Sequence, residues 1–148
     1  MKQLIASCLL YSLTTLLAAQ PAIEWQKVYG GSGDDYANSM QSTSDGGYVM
    51  VGHCWSNNGD ISGNNGTWDC WVVKVGNTGA IQWSRALGGS FFETSPNIQQ
   101  TTDGGYVMVC NSQSNDGDVS GNHGGTDIWV VKLSPDGSIE WQRSIGGS

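Results

Sequence analysis

Two stretches of this chain carry oxygen donors at alternate positions, the pattern a hard cation needs. Asp116, Asp118 and Ser120 fall at positions one, three and five of a loop, Gly121 at six, Asn122 at seven and Asp127 at twelve. That order follows D-x-[DN]-x-[DN]-G-x5-E, in which side-chain and backbone oxygens wrap calcium around a sharp turn. It departs at the fifth position, a Ser, and at the twelfth, the shorter Asp. A weaker copy runs through Asn58, Asp60, Ser62, Asn64 and Asp69, with Asn58 in the first place. The competing reading is a connection rich in Asx and Gly whose side chains cap their own backbone. Calcium is the one cofactor this chain suggests.

Cysteine supplies a second kind of chemistry. Cys54 is expected to end one strand and Cys70 to open the next, so antiparallel pairing could set them opposite and allow a disulfide. Such a bridge would close a loop of about 15 residues, worth up to ~3 kcal/mol in the chain-entropy account. Cys110 reads as a buried thiol, and no C-x-x-C spacing occurs. No catalytic constellation stands out: His53 and His123 have no nucleophile at motif spacing, and G-x-S-x-G is absent. Asp34 and Asp35 read as a solvated loop. Gly30-Gly31-Ser32 and Gly88-Gly89-Ser90 open no helix, which argues against phosphate binding.

These residues recur because the chain repeats. Asp45-Gly46-Gly47-Tyr48-Val49-Met50-Val51 returns 58 residues later as Asp103-Gly104-Gly105-Tyr106-Val107-Met108-Val109. Aligning 23–80 with 81–138 needs no gap, and 28 of the 58 positions are identical. Each unit reads as four short strands. In the second unit they fall at 94–101, 106–110, 127–133 and 139–145. Asp-Gly turns separate them, along with a long loop over 111–126. One such sheet cannot bury both faces, so units must stack. Radial stacking of four-stranded antiparallel sheets is a β-propeller, and the expected fold is all-β: tandem propeller blades forming an incomplete propeller fragment. Unit 1 is 23–80, unit 2 is 81–138, and 139–148 begins a third, which suggests a longer protein. Trp25, Trp83 and Trp141, with Trp71 and Trp129, are expected between blades.

Residues 1–19 read as a secretory signal: Lys2, then an apolar run from Leu4 to Leu17, then small residues with cleavage after Ala19. The run is short for a spanning helix, so no membrane span is expected after cleavage. The formal charge of −7 argues against nucleic acid and anionic membrane as partners.

Trp83–Ser90, Asp103–Val107, Ser114–Gly124, Asp127–Leu133 and Gly137–Trp141 resemble secreted β-propeller-type repeats common in Bacteroidota. Their units read W-x-[KR]-x-x-GGS, DGGY-[IV], SNDGDVSGNHG, D-x-WVVKL and G-x-I-x-W. The resemblance covers 23–148. It implies an exported protein, secreted or on the cell surface, often a type IX secretion substrate. The expected function is a non-enzymatic binding or adhesion scaffold for a protein or carbohydrate ligand. The alternative is the propeller portion of a secreted hydrolase or quinone-dependent dehydrogenase whose catalytic part lies outside this chain.

Overall fold

The computed structural model describes residues 20–148. The signal reading of 1–19, and Cys8 with it, falls outside them. The described residues form eight strands and no helix. In chain order they are β1 (Asp35–Ser42), β2 (Tyr48–Cys54), β3 (Asp69–Val75), β4 (Ile81–Leu87), β5 (Glu93–Gln100), β6 (Tyr106–Ser112), β7 (Asp127–Leu133) and β8 (Ile139–Ile145). β1-β2-β3-β4 and β5-β6-β7-β8 are two antiparallel sheets, each paired in sequence order, which do not close on each other as a barrel or propeller. Every strand of the second sheet begins and ends 58 residues after its counterpart. Against expectation, β5 starts one residue earlier and β6 runs on to Ser112. The long loop therefore begins at Gln113.

The turns follow from their residues. Thr43 and Thr101 open tight turns in which Gly46 and Gly104 take φ of +80° and +84°, a region that favours glycine. Asp45 Oδ1 accepts a hydrogen bond from Gly47 N at 3.1 Å, and Asp103 Oδ1 accepts one from Gly105 N at 3.0 Å. The other carboxylate oxygen reaches the next strand pair: Lys74 Nζ lies 2.8 Å from Asp45 Oδ2, and Lys132 Nζ lies 3.0 Å from Asp103 Oδ2. The DGG turn is thus tied to the lysine of the following WVVK strand.

Side chains alternate across each strand. The front face of the first sheet carries Met50, Cys54, Trp71, Val73 and Val75, and its back face carries Val49, Val51, Cys70 and Val72. That back face packs on the front face of the second sheet, against Met108, Cys110, Trp129, Val131 and Leu133, as one core. The matching back face of the second sheet is open: Val109 is 41% exposed and Ile128 is 48% exposed. The front of the first sheet is covered in part, with Trp71, Val73 and Val75 buried beside Ile61 and Tyr29, but Met40 at its β1 edge is exposed, whereas its counterpart Ile98 is buried.

The tryptophans divide by location. Trp129 and Trp71 are buried. Trp83, on β4, packs on Tyr106 with ring centroids 5.6 Å apart and donates from Nε1 to Pro135 O at 3.0 Å. It therefore ties the first sheet to the second. Trp25 repeats this contact with Tyr48 at 6.1 Å, although 23–29 forms no strand. Trp141 has no such neighbour and is half-exposed.

The Cys54–Cys70 disulfide does not form, and all three cysteines of the described chain are free. Cys54 pairs with Asp69 and Cys70 with His53, so the two cysteines are offset by one residue. One residue of offset on a pleated strand puts them on opposite faces: Cys54 sits in the front cluster and Cys70 in the back one. Cys70 instead lies beside Cys110 in the core shared by the two sheets.

Candidate functional site

The long loops and the Gly-Gly-Ser connections lie together at one rim, with the tight turns at the other. In the second unit the backbone amides of 88–91 point one after another at oxygen acceptors. Gly88 N donates to Asp118 Oδ2 at 3.2 Å, Gly89 N to Glu93 Oε2 at 2.9 Å, Ser90 N to Asp116 Oδ1 at 2.8 Å and Phe91 N to Ser114 Oγ at 3.0 Å. The first unit repeats the set. Gly30 N donates to Asp60 Oδ2 at 3.1 Å, Gly31 N to Asp35 Oδ2, Ser32 N to Asn58 Oδ1 and Gly33 N to Ser56 Oγ, the last three each at 2.8 Å. Each of the four amides thus has its own acceptor, supplied by a side chain of the long loop or of the strand that follows.

The residues read as calcium donors are therefore spent in different directions. Asp116 and Asp118 hold the Gly-Gly-Ser connection. Ser120 turns to β8, where its hydroxyl bonds the Gln142 amide and its carbonyl accepts from Ser144 Oγ at 2.9 Å. Asn122 Oδ1 accepts from Gly124 N at 2.7 Å, closing a local turn. Asp127 Oδ2 accepts from His123 N at 2.9 Å. In the first unit Asn58 and Asp60 hold the connection, Ser62 is exposed, and Asn64 donates to Cys54 O at 3.0 Å. Asp69 Oδ2 accepts from Asn65 N at 2.8 Å. No group of three or more His, Cys, Asp or Glu that could hold a metal ion occurs among the described residues.

One arrangement here had no reading in the sequence. Asp35 and Glu93 stand at the same repeat position, and both cap the Gly-Gly-Ser connection. Glu93 is fully buried, with Ser112 Oγ donating to it at 2.6 Å. Asp35 is thus no solvated loop residue: it opens β1 and takes bonds from Gly31 N and from Ser56 Oγ at 2.8 Å. The sequence signal was the shared acid at a 58-residue offset, hidden because one copy is Asp and the other Glu.

Asp69 lies beside this cluster, fully buried, and its Oδ1 has no hydrogen-bond partner. A Cβ at Gly88 would sit 2.6 Å from that oxygen, so only glycine lets the chain cross there. Burial, with Glu93 and Asp118 nearby, pushes the Asp69 carboxyl up to about 7. Asp127 occupies the same repeat position and moves the other way, held down by hydrogen bonds from His123. His123 stands where the first unit has Asn65, and its Nδ1 is 2.8 Å from Asp127 Oδ2. His123 is accounted for by this capping contact.

No protein-family model matches the chain, and no curated protein matches it. No helix among the described residues is long and apolar enough to cross a membrane.

Proposed function

We propose that this chain is part of an exported β-propeller repeat protein that acts as a non-enzymatic binding or adhesion scaffold at or beyond the cell surface. The observation that carries the propeller reading is the junction of the two sheets. Val49, Val51, Cys70 and Val72 on the back of one sheet are buried by the front of the next, and their counterparts on the second sheet are the half-buried Val107 and Val130 and the exposed Val109 and Ile128. The same interface can therefore be made again, and repetition of one face-to-face step around an axis generates a propeller. Residues 23–29 fit this scheme. They match β4 and β8 in sequence and place Trp25 as β4 places Trp83. A closing blade could take three strands from another unit and its fourth from 23–29.

The scaffold reading rests on where the repeated residues are spent. The repeated Asp, Asn, Gly and Trp residues build turns, the connection and the sheet junction. Export rests on the resemblance and on the leader of 1–19. Two experiments test the proposal. Chains extended by further copies of the repeat should form closed ring-shaped particles by electron microscopy, and open or globular particles would refute the propeller. Beads coated with such a chain should be retained under flow on at least one immobilised matrix protein or polysaccharide, and retention on none would refute the scaffold.

A further inference from the structure

Four aromatic rings gather at the long-loop rim of the first sheet. Tyr36 stacks on His53 at 4.9 Å with an interplanar angle of 20°. Trp68 meets Tyr36 at 5.5 Å and His53 at 5.0 Å, and Trp55 meets Trp68 at 5.7 Å. Their counterparts 58 residues later are Thr94, Asn111, Thr126 and Gln113, none of them aromatic. The repeat otherwise keeps its turns and strands, so these four substitutions fall together in space without serving the shared fold. The rings are also not hidden: Tyr36 is 50% exposed and Trp55 is 58% exposed. His53 Nδ1 is 3.1 Å from Asn38 Oδ1, which places polar groups at the edge of the cluster.

We propose that this cluster is a stacking platform for a neutral glycan chain. The geometry selects the ligand class. A quaternary ammonium needs aromatic faces set around a space, but rings at 4.9 to 5.7 Å pack on one another and leave ligand only their outer faces. Nucleobases also stack on such faces, but single strands are polyanions and need a basic track, which a chain of net charge −7 opposes. A sugar ring has an apolar C–H face to lay on the indole and phenol, and hydroxyls at its rim for His53 and Asn38. Trp68 touches Tyr36, His53 and Trp55 at tilted or edge-on angles, so the cluster offers outer faces in more than one direction, which suits a chain of sugars over a single one.

This inference rests on the scaffold reading and names its ligand class. Titration of the full chain with laminarin, mannan and xylan, followed by tryptophan fluorescence and calorimetry, should show binding to at least one. Trp55→Ala and Tyr36→Ala should each weaken that binding at least tenfold. Trp141→Ala, which removes a comparably exposed tryptophan from the second sheet, should leave it unchanged. No binding to any of the three, or equal loss in Trp141→Ala, overturns the platform. If the coated beads are retained on a matrix protein while these glycans do not bind, the platform fails and the scaffold stands.

Discussion

Asp69 and Asp103 pull the stability of the chain in opposite directions with pH. Burial raises the Asp69 carboxyl to about 7, so the native state keeps a proton that the unfolded chain releases near 4. Its contribution is fully present below about 4 and is lost as pH rises through about 7. Asp103 is held down to about 2 by hydrogen bonds from Thr101 and Lys132, and Asp45 is held below the ordinary range by Lys74 and Thr43. Their contribution is present above about 4 and is lost as pH falls toward 2. The melting temperature should therefore peak at mildly acidic pH and fall by a few degrees between pH 5 and pH 8. Asp69→Asn keeps an acceptor for Asn65 N and should flatten the fall, and an unchanged slope would show that another group titrates. The thiols give a second residue-scale expectation. Burial pushes Cys54 up to about 12 and Cys70 well above its ordinary value, so neither supplies thiolate at neutral pH. Iodoacetamide should label neither in the native chain and both once guanidinium unfolds it. Rapid native labelling would mean that the sheets open. None of this was legible in the sequence. Asp69 and Asp127 are the same letter at the same repeat position, and only their neighbours Asn65 and His123, with Glu93 beside Asp69 alone, separate their behaviour.

The strands were legible because their pattern is local. Alternating apolar residues around the Asp-Gly turn locate β7 and β8 to the residue, and the 58-residue offset carries them onto β3 and β4, where Asp69 rather than Cys70 opens the strand. Partners brought together from far along the chain were not legible. Asp116 finds Ser90 across 26 residues and Asp118 finds Gly88 across 30, contacts that spacing within the loop does not reveal. Cys54 and Cys70 failed as a pair through one residue of register, which a loop of irregular length conceals. Two predictions belong to these elements. Calcium at about 1 mM should leave the melting temperature unchanged, because Asp116 and Asp118 already accept the backbone amides of the Gly-Gly-Ser connection. A dose-dependent rise would show the loop opening to re-aim Asp116, Asp118 and Asp127. Trp83 and Trp141 offer a comparison at one repeat position. Trp83→Ala removes the contact to Tyr106 and the bond to Pro135 O, and should cost about 3 kcal/mol by denaturant unfolding. Trp141→Ala, at an exposed position, should cost less than about 0.5 kcal/mol. Equal costs would mean that Trp83 does not hold the sheets together.

At the scale of the whole molecule, two sheets share one buried junction, leave the back of the second sheet open and cover the front of the first only in part, where Trp71, Val73 and Val75 are buried with Ile61 and Tyr29 beside them. The back of the second sheet offers Val107, Val109, Ile128 and Val130. The front of the first offers Met40, exposed, and a hollow lined by Tyr29, Met50, Gly52, Trp71 and Val73. These faces are versions of the two that already fit each other inside the chain, so contact between copies is heterologous and does not stop at a dimer unless it closes into a ring. A chain of residues 20–148 should therefore self-associate as concentration rises, and sedimentation velocity should show the mean mass climbing. Ile128→Lys places a charge on the back face without touching the internal junction, so it should shift the population toward monomer and leave the strand content by circular dichroism intact. Lengthening the chain by further repeats should have the same effect by covering the face from within. A monomeric 20–148 with a sharp cooperative melt above ~60 °C, high for a mesophile domain, would show that the two sheets suffice on their own.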